Sequence, residues 1–286
     1  MKTMTEELTK KVNRAIKLIQ SASKIADENG CHEIEVAYSG GKDSDVILEL
    51  TKMAGVPYRA IYKNTTIDPL GTIKHAQDMG CEIIRPRTTF AKLLETRGFP
   101  SRFARFCCAD LKEYKVLDYS IWGIRREESK KRADRYKEPE FCRVYNKHEK
   151  TKVYLPILEW TKEDVAEFVA ERNIQCHALY YDEQGVFHPE RRLGCMCCPL
   201  TSRKKRIEEF RKNPNMLKLY IRSGQKWFKN HKDIKTTKRF NNIYQLFVFT
   251  VFCQNIKEFQ ERFGKNLFDD GIDCKQFLED YFKIKF

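Results

Sequence analysis

Apolar positions follow two alternating rhythms along the first two thirds of the chain. Val12, Ile16, Ile19, Ala22 and Ile25 stand at helical spacing, which predicts an amphipathic helix over residues 8–29, closing near Asn29-Gly30. Ile34-Glu35-Val36-Ala37-Tyr38 then reads as a buried strand. A turn, Ser39-Gly40-Gly41-Lys42-Asp43-Ser44, follows it, and Val46-Ile47-Leu48-Glu49-Leu50 begins a helix that ends at Ala54-Gly55. The exchange repeats: strand 58–62, helix 69–79 stopped by Gly80, strand 81–85, helix 90–97 closed by Gly98, helix 109–117 and strand 119–123. Residues 128–152 are rich in Lys, Arg and Glu and read as a mobile excursion. Thr161-Lys162-Glu163-Asp164 is a capping box in its Asp form, opening a helix to about residue 172. Residues 182–200 read as a loop punctuated by Gly185, Pro189, Gly194 and Pro199. From residue 201 onward only helical spacing is present, and the chain shows no internal repeat.

Strands alternating with helices at this spacing predict an α/β fold, a doubly wound and mainly parallel sheet, with a helical C-terminal region. The expected organisation is an N-terminal helix over 1–30, a nucleotide-binding domain with a cysteine cluster over 31–200, and a basic helical region over 201–286. In such sheets ligands sit beyond the C-terminal strand ends, so loops 39–42, 63–68 and 123–126 are expected to converge. The first is built for an anion. Gly40 and Gly41 let the backbone approach a phosphate, a helix N-terminus follows, Lys42 adds a cation, and Ser39 and Ser44 add hydroxyl donors. Asp43 has two readings, a Mg²⁺ ligand or a helix cap. Arg125 and Arg126 offer planar forks for a phosphate or sulfate, against the alternative of a solvated Arg-Glu run with Glu127 and Glu128; Arg132 extends the same wall. Arg191 and Arg192 are equally readable as ligand contacts or as a surface pair, whereas His177 and His188 are taken as structural.

Charge and cysteine content sharpen this picture. The 286 residues carry a formal net charge of +14, which suits attraction to polyanions as well as plain solvation of a basic surface. Residues 1–7 contain no apolar signal segment, and the longest apolar run, 246–253, is too short to span a bilayer. The expectation is a cytoplasmic protein without a membrane, in which the 11 cysteines serve metal or redox chemistry rather than disulfides. Five of them cluster, as Cys107-Cys108 and Cys195-Met196-Cys197-Cys198. A C-x-x-C loop with a vicinal pair makes a four-thiolate cage for zinc or a [4Fe-4S] cluster, and the ligand set alone does not choose. Cys31, Cys81, Cys142, Cys176, Cys253 and Cys274 read as inert thiols. The basic end, with Arg203-Lys204-Lys205-Arg206 and Lys226 to Arg239 interleaved by Trp227, Phe228 and Phe240, reads either as a nucleic-acid platform or as a solvated helix face over an aromatic core.

At these residues a resemblance enters. Ser39-Gly40-Gly41-Lys42-Asp43-Ser44 resembles the PP-loop of N-type ATP pyrophosphatases and sulfonucleotide reductases. Trp122-Gly123-Ile124-Arg125-Arg126-Glu127-Glu128-Ser129 with Arg132 resembles the arginine motif of the phosphoadenylyl-sulfate (PAPS) reductase family. Pro156-Ile157-Leu158-Glu159-Trp160-Thr161 with Asp164-Val165, and Leu193-Gly194-Cys195 running to Pro199, resemble two further family segments, so the likeness covers about residues 33–200. It implies a HUP-like, Rossmann-type fold. It also implies an adenylyl nucleotide held by Ser39, Gly40, Gly41, Lys42, Asp43, Ser44, Thr65, Thr66, Gly123, Arg125 and Arg126, with Lys42, Arg125 and Arg126 acting on it.

The cysteine pattern is similar to the cluster-bearing branch, which implies [4Fe-4S] ligation, ahead of zinc, by Cys107, Cys108, Cys195 and Cys198. Cys197 is then an extra thiol: a spare, a buried apolar residue, or a catalytic sulfur carrier. The chain departs from the family's reductases in two places. It ends in Glu279-Asp280-Tyr281-Phe282-Lys283-Ile284-Lys285-Phe286 where they carry a Glu-Cys-Gly-x-His tail, and Asn64-Thr65-Thr66-Ile67-Asp68 replaces their Asp-Thr-Gly. The first expectation is therefore ATP pyrophosphatase-type sulfur transfer to nucleic acid, DNA or tRNA, as in DNA phosphorothioation, with a cysteine desulfurase as sulfur source. The second is reduction of PAPS or adenylyl-sulfate using Cys197, Cys274 or an external thioredoxin-like thiol. The third is a nucleotide-binding module with a structural cluster.

Overall fold

The computed structural model describes residues 4–235, 237–264 and 271–286. Its strands are β1 (Ile34–Tyr38), β2 (Tyr58–Lys63), β3 (Glu82–Ile84), β4 (Tyr119–Trp122), β5 (Glu140–Val144) and β6 (Lys150–Tyr154). They form one six-stranded sheet in the order β3-β2-β1-β4-β6-β5. All neighbours are parallel except β5, which runs antiparallel to β6 at the edge. This is the α/β parallel sheet the alternation of periods implies. Between β1 and β4 the strand order reverses, and a doubly wound sheet opens a ligand crevice at that point.

The helices are α1 (Glu6–Glu28), α2 (Lys42–Ala54), α3 (Thr72–Asp78), α4 (Phe90–Arg97), α5 (Phe106–Leu111), α6 (Lys130–Arg135), α7 (Lys162–Glu171), α8 (Arg203–Lys212), α9 (Pro214–Asn230), α10 (Ile243–Phe252), α11 (Ile256–Phe263) and α12 (Cys274–Phe282). Two compact units share them. The first comprises residues 1–64, 68–86 and 113–194; the second comprises residues 65–67, 87–112 and 195–286. Chain order and compact units are thus interleaved.

In the first unit, α1 starts on Thr5, whose side chain accepts from the Leu8 amide, and it buries Leu8, Val12, Ala15, Ile19, Ala22 and Ala26 at helical spacing. That stripe joins Val36, Ile47, Leu48, Ile121, Trp160 and Phe168 in one core. The stretch expected to be a mobile excursion instead holds α6 and the β5–β6 hairpin. Charged residues on the exposed positions hide its period-two alternation: Thr151 and Val153 are buried, and Phe141 packs on Trp122 and Tyr136 with ring centroids 5.8 and 5.2 Å apart. Lys152 pairs with Glu140 at 3.3 Å and Arg143 with Glu113 at 3.1 Å, so the charges brace the hairpin's rim.

The second unit is built on aromatic packing. Phe210 meets Tyr220 edge-on at 5.0 Å and Phe247 at 5.2 Å, and Phe90 meets Tyr220 at 5.5 Å. The helix expected over 109–117 starts earlier, at Phe106, and stops at Leu111. Gly98 closes α4 at φ 77°, and a Cβ there would stand 2.9 Å from the Trp227 ring. Gly98→Ala is expected to lower stability by about 2–4 kcal/mol, from left-handed backbone strain plus overpacking. Gly30→Ala, at φ 78° with open space around it, isolates the backbone part at about 1–2 kcal/mol. Chemical denaturation of both variants checks this; equal losses would mean that Trp227 simply gives way.

Candidate functional site

The first unit gathers an anion-binding turn. β1 delivers the chain to Gly40, which sits at φ 78° with the Thr72 methyl 2.6 Å from where a Cβ would be. Only glycine meets both conditions. Gly41 is the N-cap of α2 and supplies no side-chain cap, so the first turn of the helix is presented to a negatively charged group. The Ser44 hydroxyl donates to the Gly41 carbonyl at 2.6 Å and lies 3.3 Å from Ser39 Oγ, which holds the turn closed. Lys42 is buried; its ammonium lies 3.0 Å from Asp43 Oδ2 and 5.4 Å from the centre of the Tyr180 ring.

The loop after β4 closes the other side. Gly123 lies against the Asp43 backbone, 2.7 Å from the Asp43 carbonyl to a notional Cβ. Arg125 is buried and donates from Nε to Asp43 Oδ1 at 2.7 Å, and from Nη1 to Glu127 Oε2 at 2.7 Å and to the Trp160 carbonyl at 3.4 Å. The structure therefore brings Lys42, Asp43, Gly123 and Arg125 together. The cap reading of Asp43 gives way, because Gly41 is the cap and the Asp43 carboxylate is shared by Lys42 and Arg125. Arg126 turns elsewhere: it donates to the Tyr136 carbonyl at 2.8 Å, and its other partners are the Lys137 carbonyl and Glu159. Arg132 and Arg192 both pair with Glu128, and burial, then the charge of Arg192, lowers the pKa of Arg132.

Two residues escaped the sequence reading. The Tyr180 hydroxyl accepts from the Leu193 amide at 3.2 Å and stands over the Gly41 backbone, and burial pushes its pKa up to about 12. Thr72 fills the space beside Gly40 and donates to the Pro69 carbonyl at 2.8 Å. A single aromatic and a single threonine, each in a different segment, leave no local pattern. His177 Nε2 donates to the Leu70 carbonyl at 3.2 Å and lies 3.4 Å from Thr72 Oγ1, which ties its loop to the start of α3, while His188 pairs with Asp182 and Glu190 within its own loop.

The second unit holds the cysteines. Cys107 and Cys108 sit in the first turn of α5, about 100° apart around a helix rather than on opposite faces, so both reach one side. They line a space of about 20 Å³ together with Cys195, Cys198, Thr65 and Tyr220. The Met196 amide donates to the Ile67 carbonyl at 2.9 Å and Cys195 Sγ lies 3.9 Å from Thr65 Oγ1, which anchor the C-x-x-C turn. The Cys107 thiol is pushed far up, first by its hydrogen bond with Cys108, then by burial, then by the charges of Cys108, Cys195 and Cys198. Four thiols crowd one space, and they are the group here that could hold iron or zinc. Among the described residues, however, no three Cys, His, Asp or Glu side chains already converge as ligands of a single ion.

Cys197 faces the core. It is wholly buried at φ 55°, its amide donates to Glu209 Oε2 at 2.7 Å, its carbonyl accepts from Arg206 Nε at 3.1 Å, and burial pushes its thiol up to about 12. Of the three readings open for it, this environment favours the buried apolar residue over a reactive sulfur carrier. Thr65 and Thr66 also belong to this unit: Thr65 lies against the cysteines, while Thr66 Oγ1 accepts from the first amide of α4 at 2.9 Å. No helix among the described residues is long and apolar enough to cross a membrane.

Residues 33–201 match the phosphoadenosine phosphosulfate reductase domain. An uncharacterized protein of Methanocaldococcus jannaschii is 31% identical over 184 residues, 58% of this chain and 36% of that protein. An uncharacterized 37.8 kDa protein from the gpa 5′ region of Escherichia phage 186 is 34% identical over 143 residues, 45% of this chain and 40% of that protein. The chain thus spans less than half the length of each of these relatives. Among solved structures, a phosphoadenylyl-sulfate (PAPS) reductase from Candida auris in its phosphate complex is similar at a TM-score of 0.44 and 12% identity, covering 68% of this chain and 96% of that one. That likeness is too distant to bear on function.

Proposed function

Because the chain belongs to the phosphoadenosine phosphosulfate reductase domain family, we propose that its first unit binds an adenylyl nucleotide and that the protein transfers sulfur to nucleic acid, using ATP. The observation that carries the nucleotide is the turn from Ser39 to Ser44, which opens α2 at the point where the strand order reverses. In this reading an acceptor oxygen attacks the α-phosphorus of ATP, AMP joins the acceptor and pyrophosphate leaves. The terminal sulfur of a persulfide supplied by a cysteine desulfurase then displaces AMP, leaving an acceptor–S–S–donor bond. A second thiol of the donor or of a thioredoxin-like partner attacks the donor sulfur, which frees the thiolated acceptor and leaves a disulfide on the thiol side. Gly40, Gly41, Ser39 and Ser44 hold the phosphates, and Lys42 and Gly123 border them. Arg125 acts as a positioning residue through Asp43, a carboxylate that is also the place for a Mg²⁺ ion. Arg126 acts from the rim.

Cys107, Cys108, Cys195 and Cys198 would hold a [4Fe-4S] cluster. The donor set suits it, because Cys107, Cys108, Cys195 and Cys198 line one space. Held there by these four thiolates, the cluster would offer an iron site for sulfur or a store of electrons.

The second reading, reduction of PAPS or adenylyl-sulfate, is favoured by the family's own description. Its internal nucleophiles are disfavoured: Cys197 and Cys274 are both buried, with burial pushing each thiol up to about 12. Reduction would then require an external thioredoxin-like thiol. Protein purified anaerobically and given ATP, PAPS or adenylyl-sulfate in turn tests this. Pyrophosphate release from ATP is expected. Sulfite release from a sulfonucleotide would overturn the proposal in favour of the second reading, and tight nucleotide binding with neither product would leave a binding module.

A further inference from the structure

The second unit carries another concavity, which the proposed chemistry leaves unused. It measures about 860 Å³ and is lined by Arg97, Arg102 and Arg203 and by Phe103, Trp227 and Phe249. Phe103 is 100% exposed. No core explains a phenyl ring wholly in water, yet its turn is organised: the Phe103 and Ala104 amides donate to Ser101 Oγ at 3.3 and 3.0 Å. Arg102 Nη2 donates to the Thr201 carbonyl at 3.0 Å, tying this turn to the segment just after Cys198. Arg97 pairs with Asp110 at 2.9 Å and Arg203 with Glu258 at 3.6 Å, while Arg102 makes no ion pair among the described residues. Pro199 lines both this concavity and the cysteine space.

We propose that this concavity binds unpaired nucleotides of a nucleic-acid strand. Bases stack on Phe103 and Phe249, and phosphates meet Arg102, with Arg97 and Arg203 beside it. Cations alternating with aromatic faces around a groove match a strand's alternation of phosphates and bases. A base out of its duplex stack offers its whole face to such rings, so the occupant is single-stranded or locally opened. The net charge of +14 adds long-range attraction. The choice of nucleic acid rests on the sulfur-transfer reading above, because the shared Pro199 wall would bring such a strand beside the cysteines.

The test is fluorescence anisotropy of the full chain with a labelled oligothymidylate and with a blunt duplex of equal length, over a range of salt. The strand is expected to bind at least tenfold more tightly than the duplex. Phe103→Ala, a change at a wholly exposed side chain, should weaken strand binding roughly tenfold. Arg102→Gln should also weaken it and reduce the log–log salt slope by about 0.7. Lys24→Gln, at an exposed α1 residue outside the concavity, should change nothing. Equal affinity for the duplex, an unaffected Phe103→Ala, or equal losses from Lys24→Gln and Arg102→Gln would each overturn the proposal. Pyrophosphate release measured on the same preparations separates the two claims. Release without strand binding removes the groove alone, and strand binding without release removes the reaction alone.

Discussion

Cys195→Ser is expected to strip the protein of iron and inorganic sulfide when it is purified anaerobically beside the unaltered chain. Cys195 is one of four thiols around a single space, and its turn is pinned through the Met196 amide to Ile67. Loss even of a group that merely hydrogen-bonds a metal ligand costs roughly 10–100-fold in metal affinity, so loss of a ligand should exceed that. Cys197→Ala is the informative companion. Two residues away but buried against the core, it should keep its full metal content while losing about 1–2 kcal/mol of stability from the small cavity created. Iron and sulfide assays decide. Full metal in Cys195→Ser would refute the ligand set, and metal loss in Cys197→Ala equal to that in Cys195→Ser would move Cys197 into it.

Gly40→Ala is expected to abolish measurable nucleotide binding, at least a hundredfold loss, by calorimetric titration. The new methyl would meet Thr72 at 2.6 Å on a backbone at φ 78°. Left-handed strain of about 1–2 kcal/mol and overpacking of about 1–3 kcal/mol both act on the turn that must cradle phosphate. Thr72→Ser removes the offending methyl and keeps the hydroxyl that donates to Pro69 at 2.8 Å. The double variant should therefore regain part of the affinity, and the shortfall measures the backbone strain alone. If Thr72→Ser restores nothing, the steric account of Gly40 fails.

The parts of this molecule that could be read from sequence are those whose signal is local. β1 and the turn after it announce themselves in eleven consecutive residues, Ile34 through Ser44, because a buried strand, two glycines and a helix start must be contiguous. The parts that could not be read depend on distant partners. Lys150 and Lys152 conceal a sheet strand because they alternate with the buried Thr151 and Val153. Arg125 and Arg126 look equivalent as letters, yet one is buried on Asp43 and the other turns to Tyr136 and Glu159. Asp43 follows the turn as a cap would, but Gly41 holds that position. Thr65 and Thr66 follow β2 after one intervening residue and still fold with the second unit, a division that hydrophobic spacing does not mark.

That interleaving has a consequence during biosynthesis. Cys107 and Cys108 leave the ribosome about 88 residues before Cys195, the difference of 195 and 107 in the chain. At roughly 5–20 residues per second, the first two thiols wait about 4–18 seconds for their counterparts, and longer for α9, whose Tyr220 lines the site. Over that interval the vicinal pair is a nascent-chain dithiol, open to oxidation or capture by a stray soft metal. Assembly of the four-thiol site therefore cannot begin before Cys195 and Cys198 have emerged, and until then the fate of the vicinal pair depends on the redox state of its surroundings.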